Sequence, residues 1–115
     1  MEVIKLNEAE IGQNKEKCKT LEYSFGDKDI DLGIATITGR FPDKGYAMNE
    51  VSKELIYVIE GKCTIYIENE IVNLAVGDSI LINPKELYYW ETDYCKVSMA
   101  CTPAWSPSQH KIIEK

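Results

Sequence analysis

The sequence predicts an all-β fold, an antiparallel barrel or two-sheet sandwich of short strands. Three observations carry that expectation. From Ile30 onward the chain is a series of short runs rich in Ile, Val, Tyr and Thr, residues suited to a pleated, half-buried surface. Gly, Asn, Asp or Pro punctuate those runs and supply turn geometry. No window holds an apolar stripe at the 3.6-residue period of an amphipathic helix. A chain of 115 residues is the size of one domain, below the length at which cores divide, so a single domain is expected over 1–115.

In chain order, residues 1–29, with "NEAEIGQNKEKCKTLEY", read as a peripheral strand or turn of helix, and the barrel follows over 30–101. Its runs are "IDLGIATITGRF", "YAMNEV", "LIYVIEG", "KCTIYIE", "IVNLAVG", "DSILIN", "LYYWET" and "CKVSMACT". The breaks are "FPDKG" before Tyr46, Glu60-Gly61, Glu68-Asn69, Gly77-Asp78, Asn83-Pro84 and Thr92-Asp93. In "KCTIYIE", Cys63, Ile65 and Ile67 share one face and Thr64 and Tyr66 the other, as a strand with one buried side requires. "LIYVI" is apolar on both faces. Such a strand belongs in the middle of a sandwich or at a subunit contact, and a small open sandwich must protect its edges, so a homodimer is expected. The segment 102–115, "TPAWSPSQHKIIEK", has two prolines and is expected to run irregularly along the surface.

Composition narrows the function. An acidic excess leaves a formal charge of -6, which disfavours a nucleic-acid backbone or an anionic membrane as partner. No apolar run approaches the roughly 20 residues that span a bilayer, and "MEVIKLNEAEIG" has neither a basic leader nor a hydrophobic signal core. A soluble, cytoplasmic protein is expected. Cys18, Cys63, Cys95 and Cys101 contain no Cys-x-x-Cys pair and read as free thiols, with Cys63 and Cys101 serving as small hydrophobes in apolar runs.

Two blocks carry a family resemblance. Glu54, six residues and then Gly61 resembles the second half of the first cupin motif, in which a glycine and His-x-His precede the glutamate by three or four residues. "GDSILINPKELYYWET", beginning at Gly77, 16 residues after Gly61, resembles the second motif, Gly-x5-Pro-x-Gly-x2-His-x3-Asn. The chain is similar to small stand-alone prokaryotic cupins, and the resemblance implies a double-stranded β-helix, or jelly-roll barrel, with a cavity inside. It departs from the family at the metal ligands. Three-residue spacing puts Met48 and Glu50 at the two histidine positions; four-residue spacing puts Ala47 and Asn49 there. Tyr88 stands at the third histidine, so of the usual four ligands only Glu54 remains. Two carboxylates and a phenol are a poor set for a first-row transition metal, so neither a metal nor any other cofactor is expected.

If Glu54 points into the barrel, as its motif position implies, strand alternation turns Met48 and Glu50 inward too, unless a bulge between 50 and 54 breaks the parity. The same alternation aims Tyr88 and Trp90 inward. Glu50, Glu54 and Tyr88 would then converge on a cavity lined by Met48 and Trp90. Two crowded carboxyls share a proton there, giving an acid and a base, with Tyr88 as proton donor. The structural alternative has both glutamates satisfied by Lys53, Arg40 or backbone donors, while Tyr88 and Trp90 fill the barrel. Arg40, the sole arginine, is a candidate clamp for a substrate carboxylate or a surface ion-pair partner. Trp105 and His110, the sole histidine, lie in the tail, as packing residues or as a cover for the cavity.

Three functions follow, in order of preference. The first is a metal-free barrel that binds a small polar molecule, neutral or cationic, without turnover. The second is an isomerase, epimerase or lyase that uses Glu50 or Glu54 with Tyr88. The third is a metal-binding cupin with an oxygen-rich site. The fold alone does not choose among them.

Overall fold

In the computed structural model, which describes residues 1–114, nine strands pair antiparallel in one curled sheet. They are β1 (Glu10–Asn14), β2 (Cys18–Tyr23), β3 (Asp31–Phe41), β4 (Tyr46–Asn49), β5 (Lys53–Ile67), β6 (Glu70–Ala75), β7 (Ser79–Ile82), β8 (Tyr88–Thr102) and β9 (His110–Ile113). β8 runs between β3 and β5, and β5 carries β7 and β6 on its far edge. β1 and β2 continue the sheet beyond β3, while β4 joins β8 at Ala47 and Tyr88 and takes β9 on its other side. This is the jelly-roll barrel that the two motif blocks imply.

Two of the expected turns are bends inside strands. β5 and β8 are each 15 residues long and pass through Glu60-Gly61 and Thr92-Asp93 without reversing. The ladder between them slips at Val58/Glu60 and again at Lys62/Thr64. The slip switches the buried face of β5 from Glu54, Ile56 and Val58 to Cys63, Ile65 and Ile67. β8 switches likewise, from Tyr88 and Trp90 to Cys95, Val97 and Cys101. Gly61 makes the bend possible: its φ is +75°, and a Cβ there would collide with the carbonyl oxygen of Tyr94. Each long strand therefore walls two regions of the barrel.

The ends of the chain are more regular than their composition suggests. Of the peripheral strand or turn of helix expected at the N-terminus, the structure has both: a 3-10 turn at Leu6–Glu8, then β1 and β2 at the edge of the sheet, with Cys18 and Thr20 buried. The tail forms a short 3-10 turn, Pro107–Gln109, and then β9, where an irregular course was expected. Lys115 lies outside the described residues. Ile56, Val58, Ile65, Cys95 and Val97 are fully enclosed at the centre of the core. All four cysteines are free and buried. No helix among the described residues is long and apolar enough to cross a membrane.

Candidate functional site

A cavity of about 90 Å³ opens inside the barrel. β1 gives it Gln13, β2 gives Cys18, Thr20 and Glu22, and β3 gives Asp31 and Ile37. β5 adds Glu54, β8 adds Tyr88, Trp90, Met99 and Cys101, and the tail adds Trp105 and His110. Neither a lysine nor an arginine lines it among the described residues.

Glu54 is 7% exposed. Asn49 Nδ2 donates to its Oε2 at 3.2 Å, and the Cys101 thiol donates to the same oxygen at 3.7 Å. Burial pushes the Glu54 carboxyl above the usual carboxylate range; the two donors oppose that shift and the nearby Asp31 charge adds to it. Desolvation and then the charge of Glu54 push Tyr88 well above the ordinary phenol value, so Tyr88 keeps its proton and its hydroxyl stays a hydrogen-bond donor. Asp31 and Glu22 are also raised by burial, although Asp31 accepts the backbone N–H of Trp105 at 3.0 Å and Glu22 accepts the Thr20 hydroxyl at 3.3 Å. Gln13 Oε1 is buried without a hydrogen-bond partner. The cavity is thus rich in acceptors.

A bend between β4 and β5 decides which first-motif residues face inward. Ala47 and Asn49 are buried before it; Ser52 and Glu54 are buried after it. Gln109 fixes the bend from the tail. Its Oε1 accepts the amides of Val51 at 3.1 Å and Ser52 at 2.7 Å, and its Nε2 donates to Ser52 Oγ at 2.9 Å. The extra residue breaks the parity that would have carried Met48 and Glu50 inward with Glu54. Glu50 is exposed and pairs with Lys111 at 3.7 Å; Met48 is half-buried, and neither lines the cavity. The expected Glu50–Glu54 pair is corrected on this geometry. Arg40 is also outside: it donates to the carbonyls of Pro42 at 2.6 Å and Gly45 at 2.9 Å and lies 4.0 Å over the Tyr89 ring.

Of the residues singled out by sequence, Glu54, Tyr88 and Trp90 meet at the cavity, and His110 and Trp105 join them from the tail. Asn49 was legible through the four-residue spacing, which places it at a ligand position. Asp31, Glu22 and Gln13 left no local signal, since their facing depends on how β1, β2 and β3 curl. A transition metal does not fit the ligand positions of the two motifs: Ala47, Asn49, Glu54 and Tyr88 offer one carboxyl, an amide and a phenol. No three His, Cys, Asp or Glu side chains among the described residues are grouped to hold a metal ion.

A curled antiparallel barrel around an acceptor-lined cavity defines a cupin-type ligand-binding domain. Residues 31–94 match the AraC-like ligand binding domain, and over more than half of its length this chain belongs to that family. Among solved structures it is similar to a Streptomyces PAC13 variant with uridine, at 17% identity and a TM-score of 0.84, with 96% of this chain and 88% of that one covered. Pac13 is described as a nucleoside dehydratase. An RmlC-like cupin from Shewanella frigidimarina superposes at a TM-score of 0.70, 19% identity and 88% and 89% coverage. Ectoine synthase from P. lautus gives 0.69, 13%, 88% and 79%. At these identities the likeness is one of fold. No curated protein matches the sequence.

Proposed function

We propose that this chain binds a small neutral or cationic molecule rich in hydrogen-bond donors, such as a polyol, a nucleoside or an amine, inside its barrel. One observation carries the reading: Glu22, Asp31, Glu54 and the unpartnered Gln13 Oε1 line a cavity that no lysine or arginine among the described residues lines. An anion would meet like charge at those walls, whereas a hydroxyl or N–H supplies what buried acceptors lack. The family description and the uridine in the PAC13 structure support the same class. At about 90 Å³ the cavity is smaller than an ordinary drug-sized site, so a nucleoside would be enclosed only in part.

Calorimetry and thermal shift at neutral pH with uridine, ribose and putrescine, set against phosphate and citrate, test the reading. A ligand at a hundred times its Kd should stabilise the fold by about 2.7 kcal/mol. Stabilisation by the anions alone, or by none of the five, would overturn the proposal.

A second reading is a lyase-type enzyme. Its support is Glu54, whose raised carboxyl sits in the same enclosed space as the Tyr88 phenol, together with the dehydratase description of Pac13. With Glu50 on the surface, the acid–base pair would be Glu54 and Tyr88. Loss of water from a β-hydroxy carbonyl compound, followed by mass spectrometry and abolished by Glu54→Gln, would move the assignment from binder to enzyme.

A further inference from the structure

We propose that His110 is the hydrogen-bond acceptor that meets the ligand at the neck of the barrel, held for that role in one tautomer by Asn49. The ligand role rests on the reading of the cavity as a binding site; the tautomer does not.

The neck is defined by four residues, Gln13, Cys18, Phe41 and His110, which line both the inner cavity and an outer groove that continues past Lys15, Lys17 and Lys44. Asn49 has only one orientation that suits its neighbours. Its Nδ2 donates to Glu54, and its Oδ1 accepts the indole N–H of Trp105 at 3.0 Å. An indole nitrogen can only donate, so the amide oxygen must face the tail. His110 Nδ1 lies 3.1 Å from that same oxygen. A carbonyl oxygen can only accept, so Nδ1 carries the proton.

Burial first, and the charge of Lys15 second, push His110 below its ordinary value, which keeps the ring neutral at physiological pH. Nε2 then holds an unshared pair, and no protein group among the described residues donates to it. The Lys15 ammonium is the charge that acts on the ring, Lys111 is paired with Glu50, and Asn49 bridges the ring and Glu54. With Gln13 Oε1 likewise unpartnered, the neck offers two acceptors and calls for a ligand group bearing O–H or N–H, such as a diol.

Because His110 is the only histidine in the chain, its imidazole can be watched without assignment. Protein labelled with 15N-histidine should show a protonated Nδ1 and a bare Nε2 at neutral pH in two-bond 15N–1H correlation spectra, and Asn49→Ala should abolish that preference. Saturating uridine or ribose should shift the Nε2 resonance. His110→Gln should weaken binding of the same probe about tenfold while leaving the melting temperature close to that of the parent. A protonated Nε2 in the parent overturns the tautomer whatever binds. A probe that binds without moving Nε2, and binds His110→Gln equally well, overturns the acceptor role and leaves the cavity reading standing. Failure of both probes to bind the parent overturns the cavity reading and the acceptor role together.

Discussion

Asn49 is the residue on which the site turns. One amide satisfies a buried carboxyl, an indole N–H and an imidazole N–H. Removing it leaves those groups in a poorly hydrated space, so Asn49→Ala should cost about 2–3 kcal/mol in urea denaturation. Glu54 behaves in the opposite sense. Its proton affinity is raised on folding, so it contributes stability that is complete below the unfolded-state value and lost as pH rises through the folded-state value. Glu22 and Asp31 shift in the same direction. Thermal melts between pH 4 and pH 8 should therefore show the empty protein losing stability toward neutrality. Glu54→Gln keeps the acceptor for Asn49 without the charge; it should raise neutral-pH stability by about 1–2 kcal/mol and flatten the profile.

At the scale of elements, two irregularities place the site. The bend at 50–52 sets the parity of β5, and its amides are held by Gln109 from a tail that returns to the sheet as β9. Gln109→Ala would leave two backbone donors unpaired, and a loss of about 2–3 kcal/mol is expected, with faster hydrogen exchange at Val51 and Ser52. The second irregularity is the bend at Gly61, where Gly61→Ala meets both a positive φ and the carbonyl of Tyr94. A cost of about 1–3 kcal/mol is expected, read as a shift in the denaturation midpoint with an unchanged slope. Glu60-Gly61 and Thr92-Asp93 were visible in the sequence as breaks. A break that reverses the chain and one that bends a strand use the same residues, and only strand pairing distinguishes them.

For the whole molecule, the outer face of the sheet has a consequence. Register places Leu81, Leu55, Ala100, Leu32 and Tyr23 in one row across five strands, and Ser79, Tyr57, Ser98, Ile34, Leu21 and Ile11 in the next across six. Leu55, Leu81, Tyr57 and Ile11 are 51%, 49%, 47% and 69% exposed. Apolar side chains exposed side by side across neighbouring strands make a patch of the kind that marks an interaction surface. Beyond it Glu60, Lys96, Thr36 and Lys19 form a row of mixed charge that can complement a second copy of itself. We propose a homodimer through this face. Sedimentation at micromolar concentration should give twice the 13.1 kDa chain mass, and Leu55→Lys with Tyr57→Lys should return the monomer. A monomeric parent rejects self-association.

Strand content, the jelly-roll class and the place of Glu54, Tyr88 and Trp90 in the barrel were determined by the sequence, because alternation and turn chemistry are local and the two motif blocks fix their separation. The positions of Glu50, Met48 and Arg40 were decided by tertiary structure. One extra residue at a bend reverses every facing before it, and that residue is held by a glutamine 57 positions away, at the hydrogen bond from Ser52 to Gln109. Tertiary structure likewise chose, of the two places expected of His110, the one beside the cavity, and it alone brought in the acceptors from β1, β2 and β3. Nothing near them in the chain marks them as cavity residues; they meet because a curled sheet brings its edge strands and its tail around one space.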